Sequence, residues 1–366
     1  MRETGVAQVM TSTKVDQHPT AFTATGLPIL QVALNVKQMT ARLAPLLGAL
    51  GNGNGDRPAP AVSYARLLAY KQGNRGAIRY DVTGLGAVAG DGAEAGALLG
   101  KLYPQASQAQ RVDAILRGLW GDAFAAAPGL GMPRPVGCLP ELSMLVYVPV
   151  QGASLDEVVA GDDREAALDA VGRTAAWLAV LHHARLLLDR RFSLDGEVVN
   201  LQAWAALVAR NWPAHGAVAA RLSDDLQASA PALELSAATP IHKDFHYKHV
   251  LVGDGLRVID FDEVRLGDPT YDVAHFCAHL RLLAWRLHGD PDALLELEAA
   301  FLAAYAAGRG QPDAAPFSWF AAYTCLKVAK QLCTTRGVRP RPDGEEQRRQ
   351  VGMMLAQGLA YRDALA

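Results

Sequence analysis

Apolar positions first recur at helical spacing in Val36, Met39, Leu43, Leu46, Leu47 and Leu50, behind an Asn35–Gln38 pair that resembles a capping box. Pro45 is expected to weaken or split that helix. The period then changes. Residues 61–70 carry Val62, Tyr64, Leu67 and Leu68, and residues 76–82 alternate Ile78, Tyr80 and Val82 against Ala77, Arg79 and Asp81, which predicts two strands. Between them KQGNR, Lys71 to Arg75, reads as a short glycine-containing hairpin loop. Asp91-Gly92 marks another turn, and Ala95 to Tyr103 (AGALLGKLY) predicts a third strand. Ser107 with Gln110 predicts the start of a helix whose apolar face is Val112, Ile115, Leu116 and Leu119. Leu142 to Val148 reads as a further strand, ended by Pro149.

Beyond that point the pattern is mostly helical. Ser154 with Glu157, and Asp162 with Glu165, predict two more capped helices, and Leu168, Val171, Ala175, Leu178 and Leu181 form one stripe. Two short apolar segments, Val250–Val252 and Leu256–Ile259, interrupt the helices around Gly253-Asp254-Gly255. From residue 272 helices are expected to the C-terminus, with a break at Pro340–Asp343. Residues 1 to about 25 are polar without a period and are expected to be disordered, and Gly51 to Ala61 reads as a linker. No internal repeat is present. Strands with one helix, followed by helices enclosing a hairpin, predict an α+β chain. The expected divisions are an extension over 1–60, a sheet lobe over 61–148 and a helical lobe over 149–366.

Composition narrows the classes. The chain has 366 residues, half of them hydrophobic and a fifth charged, with a net charge of −2. That is ample material for a core, and it offers no clustered basic face for nucleic acid. The four cysteines form no CxxC pair, so neither a disulfide scaffold nor a zinc ribbon is suggested. The start lacks a basic segment followed by an apolar one, and no apolar run reaches 18 residues. A soluble, cytoplasmic protein without a membrane partner is therefore expected, of unspecified oligomeric state. Only eight of the 35 basic residues are lysine. A lysine retained on a strand in so arginine-rich a chain invites a chemical explanation.

The informative stretch is IHKDFHYKHVLVGDGLRVIDFDEVRLGDPTYDVAHF, Ile241 to Phe276. Asp244 opens a turn ahead of one short strand and Asp260 closes the next. Read from spacing alone, the two carboxylates either hold one hard cation and meet an incoming hydroxyl, or are ordinary turn aspartates.

This stretch resembles the catalytic core of the aminoglycoside phosphotransferase and choline kinase family, relatives of the protein kinases. That family's pattern is His-Gly-Asp, four residues, Asn, a hairpin, Ile-Asp-Phe or Ile-Asp-Trp, and then Gly-Asp-Pro-x-x-Asp. His242, Asp244, Asp260, Gly267, Asp268, Pro269 and Asp272 stand at the matching positions. The resemblance implies a two-lobed protein-kinase-like fold, with a small antiparallel-sheet N-lobe that binds nucleotide and a larger helical C-lobe. It implies ATP-dependent transfer of the γ-phosphoryl group to a hydroxyl of a small molecule, with magnesium, or manganese as an alternative. Asp244 would orient or deprotonate the hydroxyl, and Asp260 would hold the metal. Asp272 would brace the catalytic loop, and Asp268 would cap the helix after Pro269.

Two departures stand out. The family's metal-binding Asn is His249 here, and the glycine before the catalytic Asp is Lys243. Three arrangements stay open: His249 as ligand, Asp260 with Asp262 as the metal pair, or a weak site. In the first lobe Lys101 matches the strand lysine that contacts nucleotide phosphates; the alternative is an edge lysine facing water. The helix after it offers no glutamate partner, only Gln110 or Asp113. Gly73, Asn74 and Arg75 of the first hairpin would have to cover the phosphates, and the backbone around Tyr147 and Val148 would meet adenine. Two other classes remain: a nucleotide-binding regulator without transfer activity, and a metallohydrolase built on His242, Asp244, His246 and His249 with His275 and His279.

Overall fold

The computed structural model describes residues 28–48, 59–71, 75–84, 96–334 and 344–364. Contacts divide the chain into two compact units, Met1–Ser154 with Leu251–Asp262, and Leu155–Val250 with Glu263–Ala366.

The first unit opens with helices α1 (Pro28–Ala33) and α2 (Val36–Gly48), then strands β1 (Ala61–Lys71), β2 (Arg75–Thr83) and β3 (Ala97–Leu102). Helix α3 (Ala106–Gly121) and strands β4 (Leu130–Gly131), β5 (Arg134–Leu139), β6 (Met144–Val148) and β7 (Ala153–Ser154) follow. An antiparallel sheet of order β1-β2-β3-β6-β5 puts β3 at its centre. Met39, Leu43 and Leu47 of α2 join Val62, Ile78, Tyr80, Leu98, Met144 and Val146 in one core. The Tyr80 hydroxyl donates to the Ala33 carbonyl at 2.8 Å, tying α1 to the sheet. Gly100 gives the neighbouring side chains room: a Cβ there would come within 2.8 Å of Met144 Sδ and 2.9 Å of the Tyr80 ring, so one of them would have to shift.

Several expectations need correction here. Helix α2 runs unbroken through Pro45, although Asn35 Oδ1 accepts from Gln38 N at 3.0 Å as its spacing implies. Packing of its apolar face outweighs one missing backbone bond. Helix α3 begins at Ala106 behind Gln105 without a side-chain cap, so Ser107 lies inside it. Strand β5 carries no readable alternation because Pro135 and Gly137 interrupt it, and its pairing with β6 shifts register there. Strand β6 starts two residues late because Pro140–Leu142 form a helical turn ending at Ser143, φ 49°.

The second unit contributes α4 (Leu155–Val159), α5 (Arg164–His183), α6 (Leu194–Val198), α7 (Leu201–Asn211), α8 (Gly216–Ser229) and β8 (Thr239–Ile241). Strands β9 (Val250–Val252) and β10 (Leu256–Val258), which from Leu251 onward belong to the first unit, form the anticipated hairpin, in a small sheet of order β4-β10-β9-β7. Strand β11 (Arg265–Gly267) pairs antiparallel with β8, and helices α9 (Thr270–His288), α10 (Leu295–Arg309), α11 (Ala314–Thr334) and α12 (Gly344–Asp363) complete the chain. The α5 cap is Asp163, accepting from Ala166 N at 2.9 Å, and not Asp162. Val171, Ala175, Leu178 and Leu181 are buried along it as the stripe implies. Helix α9 is buried on almost every side, so no single apolar face was readable. Tyr271, Trp319, Phe320 and Tyr323 pack with Leu222, Leu226 and Met354 in the core of this unit.

The expected disorder over residues 1–25, the linker from Gly51, the loop tip with Gly73 and Asn74, the Asp91-Gly92 turn and the Pro340–Asp343 break lie outside the described residues.

Candidate functional site

Candidate functional side chains gather in each unit. In the first, Lys101 sits on the central strand β3, only 6% exposed, and not on a wet sheet edge. Its Nζ lies 2.8 Å from Asp260 Oδ1 and 2.8 Å from Asp262 Oδ2. Asp260 follows β10 in the left-handed region at φ 67°, a conformation costly for a non-glycine residue and common at functional turns. The carboxylate of Asp262 also accepts from the Tyr103 hydroxyl at 2.7 Å and pairs with Arg75 Nη1 at 2.7 Å. Arg111 of α3 reaches the Asp262 carbonyl at 3.5 Å.

Burial disfavours the Lys101 charge, but Asp260, Tyr103 and Asp262 outweigh it and hold the ammonium well above its ordinary range. Burial likewise raises the Tyr103 phenol, so it stays a donor to Asp262. Lys101, Tyr103, Leu145, Tyr147, Asp260 and Asp262 line one small cleft. The two carboxylates on one ammonium are hard oxygen donors, the chemistry that suits magnesium. Neither Gln110 nor Asp113 is the lysine's partner, and Asp113 pairs with Arg117 at 2.9 Å. Tyr147 and Val148 are buried on β6, where Tyr147 faces Leu99 of β3.

In the second unit Asp272 organises the loop that holds Asp244. Its Oδ2 accepts from His242 N at 2.6 Å, its Oδ1 from Lys243 N at 2.8 Å, and His182 Nε2 lies 3.2 Å from Oδ2. His182 is anchored in turn by the Tyr305 hydroxyl at 2.8 Å. Asp268 accepts from Thr270 N at 2.8 Å and Ser236 N at 2.7 Å, fixing the start of α9. Phe245 stacks on Trp177 with centroids 5.8 Å apart, which pins the residue after Asp244.

Asp244 itself is about a third exposed, at 35%. His275 Nε2 lies 3.6 Å from its Oδ1, and His275 Nδ1 meets Thr324 Oγ1 at 3.2 Å. Burial would raise the Asp244 carboxyl, but His275, His246, His249 and Lys327 outweigh it and hold it well below the usual carboxylate range. It is therefore an ionised acceptor. Burial pushes His275 down to about 4 and also lowers His246 and His279. His249 Nδ1 donates to the Asp244 carbonyl at 2.8 Å, which makes Nε2 the lone-pair nitrogen of that ring. Asp244, His246 and His249 offer ligand atoms all within 4.8 Å of one another. Lys248 pairs with Asp156 at 3.2 Å.

Of the residues singled out by sequence, Lys101, Arg75, Asp260 and Asp262 come together in the first unit, and Asp244 and His249 in the second. Sequence reasoning missed Tyr103, Arg111, Glu197 and Lys327. For Lys327 a signal existed: with Lys330 it places two of the chain's eight lysines three residues apart on one helix.

Residues 89–320 match the model of the phosphotransferase enzyme family. No curated protein matches the chain. Among solved structures, a Ralstonia eutropha protein assigned as an aminoglycoside phosphotransferase is similar, at 13% identity and TM-score 0.56, over 88% of this chain and 98% of its own. The choline kinase of Cryptosporidium parvum gives 10% identity and TM-score 0.55, over 89% and 96%. An amicoumacin kinase solved with AMP-PNP and Ca2+ gives 13% and 0.53, over 92% and 96%. The architecture is thus kinase-like, as the resemblance implied. No helix among the described residues is long and apolar enough to cross a membrane.

Proposed function

The chain belongs to the phosphotransferase enzyme family, and we propose that it is an ATP-dependent small-molecule kinase whose residues divide the work as follows. Asp244 orients the acceptor hydroxyl and takes its proton as the γ-phosphoryl group is transferred. Asp260, with Asp262 beside it, is the main metal ligand, and Lys101 neutralises phosphate charge. Phosphoryl transfer asks for positioning and charge neutralisation more than covalent help. The observation that carries this reading is the Lys101 ammonium bridging Asp260 and Asp262 at 2.8 Å to each. A buried lysine and two carboxylates make a polar cluster that polyphosphate and a hard cation can share. Magnesium, when bound, would supply further charge neutralisation at the phosphate oxygens. Arg75 covers the phosphates, and the backbone at Tyr147 and Val148 meets adenine. His249 stands at the position of the family's metal-binding asparagine, and its imidazole would serve as a metal ligand there. ATP supply makes the cytoplasm the natural compartment.

Lys101→Ala and Asp260→Ala test this assignment. Each is expected to weaken productive ATP use by on the order of 10-fold or more, and Asp260→Ala to raise the magnesium requirement as well. Unchanged ATP and magnesium titrations in both variants would remove Lys101 and Asp260 from the site.

A second reading is favoured by the spacing of Asp244, His246 and His249, which suits a softer divalent metal. Metal analysis of the purified chain separates the two. Tightly retained zinc or iron supports the histidine site, and loss of all metal on dialysis supports Asp244 as a base.

A further inference from the structure

Lys243 occupies a left-handed backbone position, φ 68°, at the place where the motif it resembles carries glycine. A lysine there accepts backbone strain at the residue directly before Asp244 in the chain. Its Nζ bonds Glu197 and lies 5.6 Å from the Phe192 ring centroid and 5.5 Å from that of Tyr271. The other oxygen of Glu197 accepts from the Tyr323 hydroxyl. Two further ammoniums come from α11. Lys327 bonds the Tyr271 hydroxyl at 3.3 Å, with its Nζ 6.0 Å from that ring centroid, and Lys330 lies 5.3 Å from the centroid of Trp204. Arg190 and Arg265 share the carboxylate of Glu263. The cluster is continuous with the base. Tyr271 stacks on His275 at 5.6 Å and 15°, and His275 Nε2 is 3.6 Å from Asp244 Oδ1.

This arrangement treats charge in one direction. Exposed aromatic faces beside a carboxylate would receive a quaternary ammonium or a protonated amine. Here the faces of Phe192, Tyr271 and Trp204 already carry the chain's own ammoniums. Glu197 and Glu263 are each committed to cations of the chain, and Asp244 is committed to the hydroxyl. Lys327 takes a phenol hydroxyl, not a carboxylate, as its hydrogen-bond partner. Burial, and then repulsion from Lys327, lower the pKa of both Lys243 and Lys330, as expected where cations crowd.

We infer that the acceptor of this kinase carries an oxyanion, a carboxylate or a phosphate, beside the hydroxyl that is phosphorylated, and that Lys327 and Lys330 receive it. The inference rests on the kinase reading above for the word acceptor, while the anion site stands on its own geometry. An incoming oxyanion would gain charge-assisted hydrogen bonds from half-buried lysines, and an incoming ammonium would lose by repulsion.

The test is equilibrium binding to the full chain by calorimetry at low salt, with matched probes: gluconate, glucose 6-phosphate, glucose, glucosamine and choline. At least one of the two anions should bind about tenfold or more tightly than glucose, and glucosamine and choline no better than glucose. Whichever anion is tighter identifies the oxyanion as carboxylate or phosphate. Lys327→Met and Lys330→Met should each weaken that binding severalfold. Lys330 is half-exposed, so its variant keeps the measurement meaningful if Lys327→Met unfolds. Glucosamine or choline binding as tightly as the better anion overturns the inference. So does failure of both anions to bind, or anion binding unchanged in Lys330→Met and in a folded Lys327→Met. Adding ATP separates the two claims. Lysine-dependent anion binding without phosphorylation removes the kinase roles and leaves the anion site, whereas phosphorylation of an amine-bearing probe keeps those roles and removes the anion site.

Discussion

Asp244 stays charged because three imidazoles and an ammonium surround it, against the pull of burial. Asp244→Asn keeps the shape and removes the proposed proton acceptor. Transfer should fall by a factor on the order of 10²–10⁴ while nucleotide affinity stays within a few-fold, measured as turnover and ATP binding on the same preparation. At the same scale, His249→Asn restores the oxygen ligand of the motif. Nitrogen donors suit manganese better than magnesium, so the wild type should use manganese at least as well, and the variant should shift its preference toward magnesium. Identical metal titrations would make His249 a structural residue. The carboxylates and Lys101 were legible in sequence because each sits in a short motif. Their partners were not, since Tyr103 and Lys101 meet Asp262 across 159 and 161 positions of chain, and Glu197 meets Lys243 across 46. Only folding brings such pairs together.

Among the elements, α5 and α9 bury histidines that fold as neutral rings. Burial lowers His182, and it pushes His275 down to about 4. An unfolded imidazole titrates near ~6.5. Below that value the unfolded chain binds more protons than the folded one, so stability is present above pH ~6.5 and is lost as pH falls toward 4. Thermal melts should show Tm falling from pH 7 to pH 5, and His275→Gln should shallow that slope; a flat Tm over the range would contradict the neutral buried rings. In the sheet, Gly100→Val would drive a side chain into Met144 and Tyr80. Overpacking of this kind costs about 1–3 kcal/mol, read as a lower denaturation midpoint at unchanged slope. Strands with clean alternation, such as β2, were readable from the sequence. Strand β5 and the true α3 start were not, because sheet pairing decides the first and packing of Val112, Ile115 and Leu119 decides the second.

At the scale of the whole chain, two compact units each carry part of the proposed site: Lys101, Asp260 and Asp262 in one, Asp244 and its cationic surroundings in the other. The order of strands then helices was plain from the change of period. Membership of Leu251–Asp262 in the first unit was not. It depends on long-range pairing, β10 beside β4 and Arg257 bonded to the Gly129 carbonyl at 3.1 Å, which no local pattern announces. The central claim is that Asp244 acts on an acceptor hydroxyl in ATP-dependent phosphoryl transfer. It is tested most directly by following label from γ-32P-ATP into a panel of hydroxyl acceptors, with wild type and Asp244→Asn side by side. The account predicts a labelled acceptor with wild type and a loss of at least about 100-fold in the variant. Label transferred by Asp244→Asn at close to the wild-type rate would contradict it.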